Sequence, residues 1–252
     1  KHLSKRLRTT LWYYTKKTYT CSKELHMTTL KIAPTLLNSF DFYIGCPESW
    51  KVRAYEGLVS TIKRAPFKPT PEITKGLNFE AQVQKRVEGC LQFGWKNHEL
   101  PGSTEFKIVV DRCMYGKFQV WGERTYDVPG YGKVKTAGKA DVLFPKGSDH
   151  FQYGKIIDIK TTGNFKDERK YTESWQPLVY GMFWEIPYFQ FLVAVWEDTG
   201  STKIKYLKAI NMKLDLETAE ERIVNQITNF YTRLNLNGLW EDYFHTYCKN
   251  PR

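Results

Sequence analysis

Two aspartates, a lysine, a glutamine and a tyrosine follow one another through the middle of the chain: Asp141 in GKADVLFP, Asp158 and Lys160 in GKIIDIKTT, Gln176 and Tyr180 in WQPLVYG. Carboxylates are hard oxygen donors for Mg2+ or Mn2+, and one or two such ions with open positions neutralise phosphoryl oxygens and activate water. A lysine two residues from an aspartate on a strand projects beside it, where it can orient that water and favour its hydroxide form. These residue types in this order suit metal-assisted cleavage of a phosphodiester. A third carboxylate, Glu80 in GLNFEAQVQKRVEGCLQF (76–93), could complete a shared site, and the carbonyl of Ile159 is a further oxygen donor.

Several elements must position these groups. The 3.6-residue period predicts a helix over 76–93 with Glu80, Val83, Val87, Cys90 and Leu91 on one side. A carboxylate on or beside that stripe is either a boundary glutamate paired with a base or a metal ligand. After Gly94, EFKIVVDR (105–112), KFQVWGERTYDV (117–128), KVKTAGKADVLF and HFQYGKIIDIKTT read as consecutive antiparallel strands with turn residues between them. Alternation puts Asp141 with Leu143 opposite Ala140, Val142 and Phe144, and Asp158 with Lys160 opposite Ile157 and Ile159.

ERKYTESWQPLVYGMFWEI then reads as a helix with Pro177 in its first turn, which places Gln176 and Tyr180 one turn apart. YFQFLVAVW (188–196) is apolar enough for a central strand, and TKIKYLKAI (202–210) alternates like an edge. DLETAEERIVNQITNFYTRLNLNG (215–238) is an amphipathic helix with Ile223, Ile227, Phe230 and Leu234 on its apolar stripe, capped by Asp215 or Thr218. Upstream, 36–64 reads as two short helices about a Gly-Cys-Pro turn at 45–47, and PFKPTPEI as a connector that cannot be helical. The expected organisation is a basic, mostly helical annex over 1–75 packed on a core over 76–252.

With 252 residues and 41% hydrophobic content, the chain has the length and apolar surface for one sizeable domain, which excludes a disordered class. Lysine and arginine number 38 against 27 acids, a net charge of +11 that suits a polyanionic partner or serves only solubility. The excess concentrates in 1–31, where basic residues interleave with Trp12, Tyr13, Tyr14 and Tyr19. That combination pairs phosphates and stacks bases, or packs as a helix on the body. The five cysteines, Cys21, Cys46, Cys90, Cys113 and Cys248, contain no C-x-x-C pair, which points to a reducing compartment. No apolar run approaches membrane-spanning length. A bacterial or phage-infected cytoplasm is the expected location, with a mitochondrial matrix as the alternative reading of the basic opening.

The order helix-Glu, strand-Asp, strand Asp-x-Lys, helix Gln-x-x-x-Tyr resembles the PD-(D/E)XK nuclease superfamily, in its RecB-like and phage lambda-type exonuclease branch. GKAD, DIKTT and QPLVY carry its motifs, GLNFE resembles the start of its first core helix, and FDFYIGCPESWKVRAY its N-terminal Cys-Pro segment, so the likeness spans 36–196. It implies an α/β (α+β) restriction-endonuclease-like core, a central mixed sheet flanked by helices with an N-terminal helical annex and a C-terminal helix.

The resemblance further implies a Mg2+- or Mn2+-dependent deoxyribonuclease, an exonuclease on DNA ends or single strands acting in recombination, repair or processing, with a recombination or replication protein as a candidate partner. Glu80, Asp141, Asp158 and the Ile159 carbonyl would hold one or two ions, Lys160 would serve the water, and Gln176 and Tyr180 would support the ligands and contact DNA. Arg53, Lys63, Arg64, Thr161 and Thr162 are candidate DNA contacts. Family members with an iron–sulfur cluster pair an early cysteine with three clustered near the C-terminus; in this sequence Cys46 has only Cys248 there, so no cluster is expected. A structure- or site-specific endonuclease and an inactive nucleic-acid-binding protein of the same fold are the alternatives. No G-x-x-x-x-G-K-[ST] motor signature occurs.

Overall fold

The computed structural model describes residues 29–66, 68–198 and 203–249; the basic and aromatic stretch over 1–28 lies outside them. In chain order the elements are β1 (Leu30–Ile32), α1 (Pro34–Gly45), α2 (Lys51–Ile62), α3 (Pro71–Phe93), α4 (Thr104–Cys113), β2 (Lys117–Val128) and β3 (Gly132–Phe144). There follow β4 (Lys155–Thr162), α5 (Arg169–Thr172), α6 (Trp175–Trp184), β5 (Tyr188–Trp196), β6 (Ile204–Lys213), α7 (Ala219–Leu236) and α8 (Trp240–Phe244).

One mixed sheet runs β1-β3-β4-β5-β6, with β2 paired to the other side of β3. β2, β3 and β4 form an antiparallel meander, and β4 and β5 are parallel, joined by a crossover that carries α5 and α6. Helices flank this sheet. On one face α3 and α4 bury Phe79, Val83, Val87, Val109 and Val110 against Val142, Ile157, Ile159 and Leu192. On the other, Tyr180 of α6 joins Leu143, Ile156, Phe189, Phe191 and Val193. A third core lies at the β1 end, where Leu36 and Phe40 of α1 and Leu58 of α2 meet Ile223, Ile227, Phe230 and Leu234 of α7. The last four are the stripe expected for that helix, and each apolar side chain so buried contributes roughly 1.5–3 kcal/mol.

The structure corrects several expected elements. Residues 105–112 are not a strand but most of α4: Ser103 caps it by accepting the Phe106 N–H at 3.2 Å, and Val109, Val110 and Cys113 fall on its buried side. A capped start and a tertiary partner override the β preference of the two valines. The connector before α3 ends sooner than expected, because Pro71 occupies the first helical position, where a missing N–H costs nothing, and the Thr70 side chain caps it. Phe79, Val83 and Val87 form the buried stripe of α3, while Leu91 is exposed. The single helix expected over 168–186 is two, α5 and α6, parted at Glu173 and Ser174. β1 adds a strand, parallel to β3, within the annex expected to be mostly helical.

Candidate active site

The site forms where β3 loses its neighbours. β1 pairs with Val134–Thr136 and β4 with Val142–Phe144; β2 pairs along the other edge, so 137–141 has no strand partner on the β4 side. Side chains satisfy this gap instead. The Ile159 N–H donates to Asp141 Oδ2 at 2.9 Å, and the Tyr180 hydroxyl donates to the Lys139 carbonyl at 3.0 Å. Asp141 and Asp158 thus stand on two strands that part beside them.

Asp158 is 1% exposed. Its Oδ1 accepts the Gln176 side-chain amide at 2.5 Å, and the Lys160 ammonium lies 2.5 Å from Oδ2 as an ion pair. Apart from that ammonium, this buried carboxylate oxygen meets no hydrogen-bond donor. Lys160 keeps 38% of its side-chain surface exposed, so its charge borders both the carboxylates and solvent.

Glu80 arrives on α3. One turn earlier Gly76 lies so close to β4 that a Cβ there would sit 2.8 Å from Thr161 Oγ1, and this contact lets the helix lie on the strand. The Glu80 carboxylate accepts the side-chain amide of Gln119 on β2. The alternation and spacing of the sequence did not single out Gln119.

α6 holds the second polar side. Its cap, Ser174, accepts the Gln176 N–H at 3.3 Å. Asn38 of α1 accepts the Trp175 N–H at 2.8 Å and donates to Ser174 Oγ at 3.0 Å, while Asp41 accepts the Trp175 indole N–H at 2.5 Å. α1 therefore fixes the helix end that presents Gln176 to Asp158. Further along, the Tyr180 ring covers Gly138, where a Cβ would come within 2.7 Å of the ring. That contact explains the glycine of GKAD: α6 and β3 meet there with no room for a side chain.

The electrostatics are those of crowded carboxylates. Burial, then the Asp158 charge, push the Asp141 carboxyl up from 3.8 to about 8. Burial and Asp158 likewise raise Glu80, and burial raises Asp158 against the opposing pull of Lys160. For Lys160, burial opposes the charge, but Asp158 and Asp141 outweigh it and hold the ammonium above the ordinary lysine range. Lys160 is a fixed cation. Burial and Asp158 push the Tyr180 phenol up to about 12, so it stays a neutral donor.

Among the described residues no three His, Cys, Asp or Glu side chains converge closely enough to hold an ion; each site carboxylate is turned to a protein donor. The donor set still fits a hard divalent cation. All three carboxylates feel the Lys160 ammonium, burial raises all three, the Asp158 charge raises Glu80 and Asp141 further, and the buried Asp158 Oδ2 has that ammonium alone for a partner.

The other sequence candidates are engaged elsewhere. Arg53 lies over the Trp50 ring, Lys63 pairs with Asp242 at 3.1 Å, and Arg64 lies over Tyr247. Thr161 meets α3 at Gly76, and Thr162 Oγ1 closes the turn at Asn164. A cleft of about 930 Å³ runs along another side of α3, lined by Lys75, Lys85, Arg86, Trp95 and Phe106 among others and by no carboxylate. Cys46 and Cys248 are buried. Among the described residues no helix is long and apolar enough to cross a membrane.

The motif order that resembles the PD-(D/E)XK superfamily is thus carried on a helix, two neighbouring strands and a second helix, all packed on one mixed sheet. No family model and no curated protein matches the sequence. Solved structures similar to the chain include a phage-related exonuclease from Haemophilus somnus, 15% identical over 85% of this chain and 99% of that one, with a TM-score of 0.44. SSO0001 is 15% identical over 86% of each chain with a TM-score of 0.43, and LHK-Exo, solved with dAMP, is 11% identical over 83% of this chain and 89% of that one with a TM-score of 0.40. The chemistry of the site therefore rests on its own geometry.

Proposed function

We propose that the chain is a divalent-metal-dependent deoxyribonuclease of the PD-(D/E)XK type, an exonuclease that hydrolyses phosphodiesters from DNA ends. The observation that carries this reading is the set of three carboxylates, Asp158 buried and Glu80 and Asp141 partly buried, that share the Lys160 charge beside the stretch of β3 with no partner on the β4 side. Structural carboxylates lower their energy by pairing with bases; here Lys160 serves all three, and the Lys139 charge reaches Glu80 besides.

Glu80, Asp141, Asp158 and the Ile159 carbonyl would hold one or two Mg2+ or Mn2+ ions. Such an ion supplies Lewis-acid neutralisation of the phosphoryl oxygens and lowers the pKa of a water. The chain's own groups do the rest. Lys160, kept protonated, donates hydrogen bonds to water and to phosphate oxygens and stabilises negative charge as it develops. Gln176 fixes Asp158, and Tyr180 holds α6 against β3, so the donors are preorganised. Lys75, Lys85 and Arg86 give the cleft beside α3 the charge that suits a polyanion.

End-labelled linear DNA and closed circular DNA, each incubated with Mg2+, Mn2+, Ca2+ or chelator, test the reading. The expected result is metal-dependent shortening of the linear substrate, intact circles, and loss of activity in folded Asp158→Ala and Lys160→Ala proteins. Cleavage of closed circles would assign an endonuclease of the same fold. Undiminished activity in either variant refutes the roles of Asp158 and Lys160.

A further inference from the structure

The only residue inside a strand with a positive φ, among the described non-glycine residues, is Gln119, at 54°. Arg64, Tyr115 and Glu185 share the feature but lie outside strands, beyond or between helices, where left-handed backbone is ordinary. Gln119 has no such excuse. Its neighbours pair in normal register, Phe118 with Val142 and Val120 with Ala140, so one residue on each strand separates the pairs and no bulge residue is inserted. The pair skipped is Gln119 with Asp141.

A side chain makes left-handed backbone unfavourable, and such conformations persist where surrounding structure holds them. Here the return is a contact. The twisted residue directs its amide to the Glu80 carboxylate, 39 positions away in sequence, on a helix packed against the sheet. Asp141, opposite Gln119, is therefore released from its ladder on both sides, toward β4 and toward β2.

We propose that Gln119 is a positioning residue of the cation site: its left-handed backbone exists to place an amide on Glu80, fixing that carboxylate's rotamer on the side of Asp141 and Asp158. The assignment rests on Glu80 being a ligand, as the nuclease reading has it. Partners that orient metal ligands in this way typically change metal affinity by about 10- to 100-fold when removed.

Gln119→Gly separates this role from a structural one. Glycine accepts the left-handed backbone without strain but has no amide. Two measurements on the full chain suffice: thermal melting in chelator, and calorimetric titration of the apoprotein with Mn2+. The expected result is a melting temperature equal to or above that of the native protein together with Mn2+ binding weaker by about 10- to 100-fold. Gln119→Ala, which keeps the Cβ, should lose as much affinity and melt below the glycine variant. Native-like Mn2+ affinity in both variants overturns the inference while leaving the nuclease reading intact. A native protein that takes up no Mn2+ and cleaves no DNA overturns both.

Discussion

Asp141→Asn should stabilise the metal-free protein, and the gain should grow with pH. The native carboxyl is raised from 3.8 to about 8, first by burial and then by the Asp158 charge. Its folded value lies above its unfolded one, so between about pH 4 and pH 8 the folded state binds more protons than the unfolded state, and stability falls as pH rises through that window. Asparagine resembles the protonated form: it carries no charge and can still accept the Ile159 N–H through its oxygen. The full rise, at about 1.36 kcal/mol per tenfold change in ionisation, amounts to on the order of 5 kcal/mol. Asp158 and Lys160 share that energy, so a few kcal/mol is expected from the single substitution. For a chain of this size that is a shift of roughly 10 °C at pH 8 in chelator, falling to nothing near pH 4. The assay is thermal denaturation by circular dichroism across pH 4–8. Mg2+ or Mn2+ should then raise the melting temperature of the native protein by mass action and leave that of the variant unchanged. A variant no more stable than native at pH 8, or a difference independent of pH, would refute the account of a crowded cation site.

Three other perturbations address the elements around it. Gly138→Ala places a Cβ within 2.7 Å of the Tyr180 ring, and overpacking of this kind should cost about 1–3 kcal/mol in a denaturant titration; pairing it with Tyr180→Leu should recover much of that stability. Asn38→Ala removes both hydrogen bonds to the start of α6, which should cost on the order of 1–3 kcal/mol and lower kcat more than it raises KM, because Gln176 loses its anchor rather than DNA its contacts; a change in KM alone would contradict this. Lys75→Ala with Lys85→Ala should weaken DNA binding and reduce the slope of log affinity against log salt by about 1 per removed cation, and an unchanged slope would show that DNA bypasses the cleft.

Residue type and spacing made part of this legible. Asp158 and Lys160 could be placed on one face by the period of a strand, and Ile223, Ile227, Phe230 and Leu234 on one face by that of a helix, because those periods are local. The failures also have local causes. Val109 and Val110 favour a strand, and only the Ser103 cap and the core beneath α4 turn them helical. Pro71 reads as a breaker and acts as a helix start. Gln119, Asn38 and Asp41 were invisible for a different reason: their partners lie 39 to 185 positions away, and an amide or carboxylate aimed across the fold leaves no periodic trace.

The gap in β3 brings these observations together. Regular ladder pairing along 137–141 would satisfy the backbone more simply than Tyr180, Asp141 and a splayed β4 do. Glu80, Asp141 and Asp158 each raise the energy of the ionised, metal-free fold, and Gln119 adds an unfavourable backbone conformation at the same point. On the proposed reading, costs that coincide at one gap are offset by the cation the gap would bind. Asp141→Asn should accordingly stabilise the metal-free fold, Gln119→Gly should leave it as stable or more so, and both should weaken cation uptake. A purely structural role for either residue predicts the reverse.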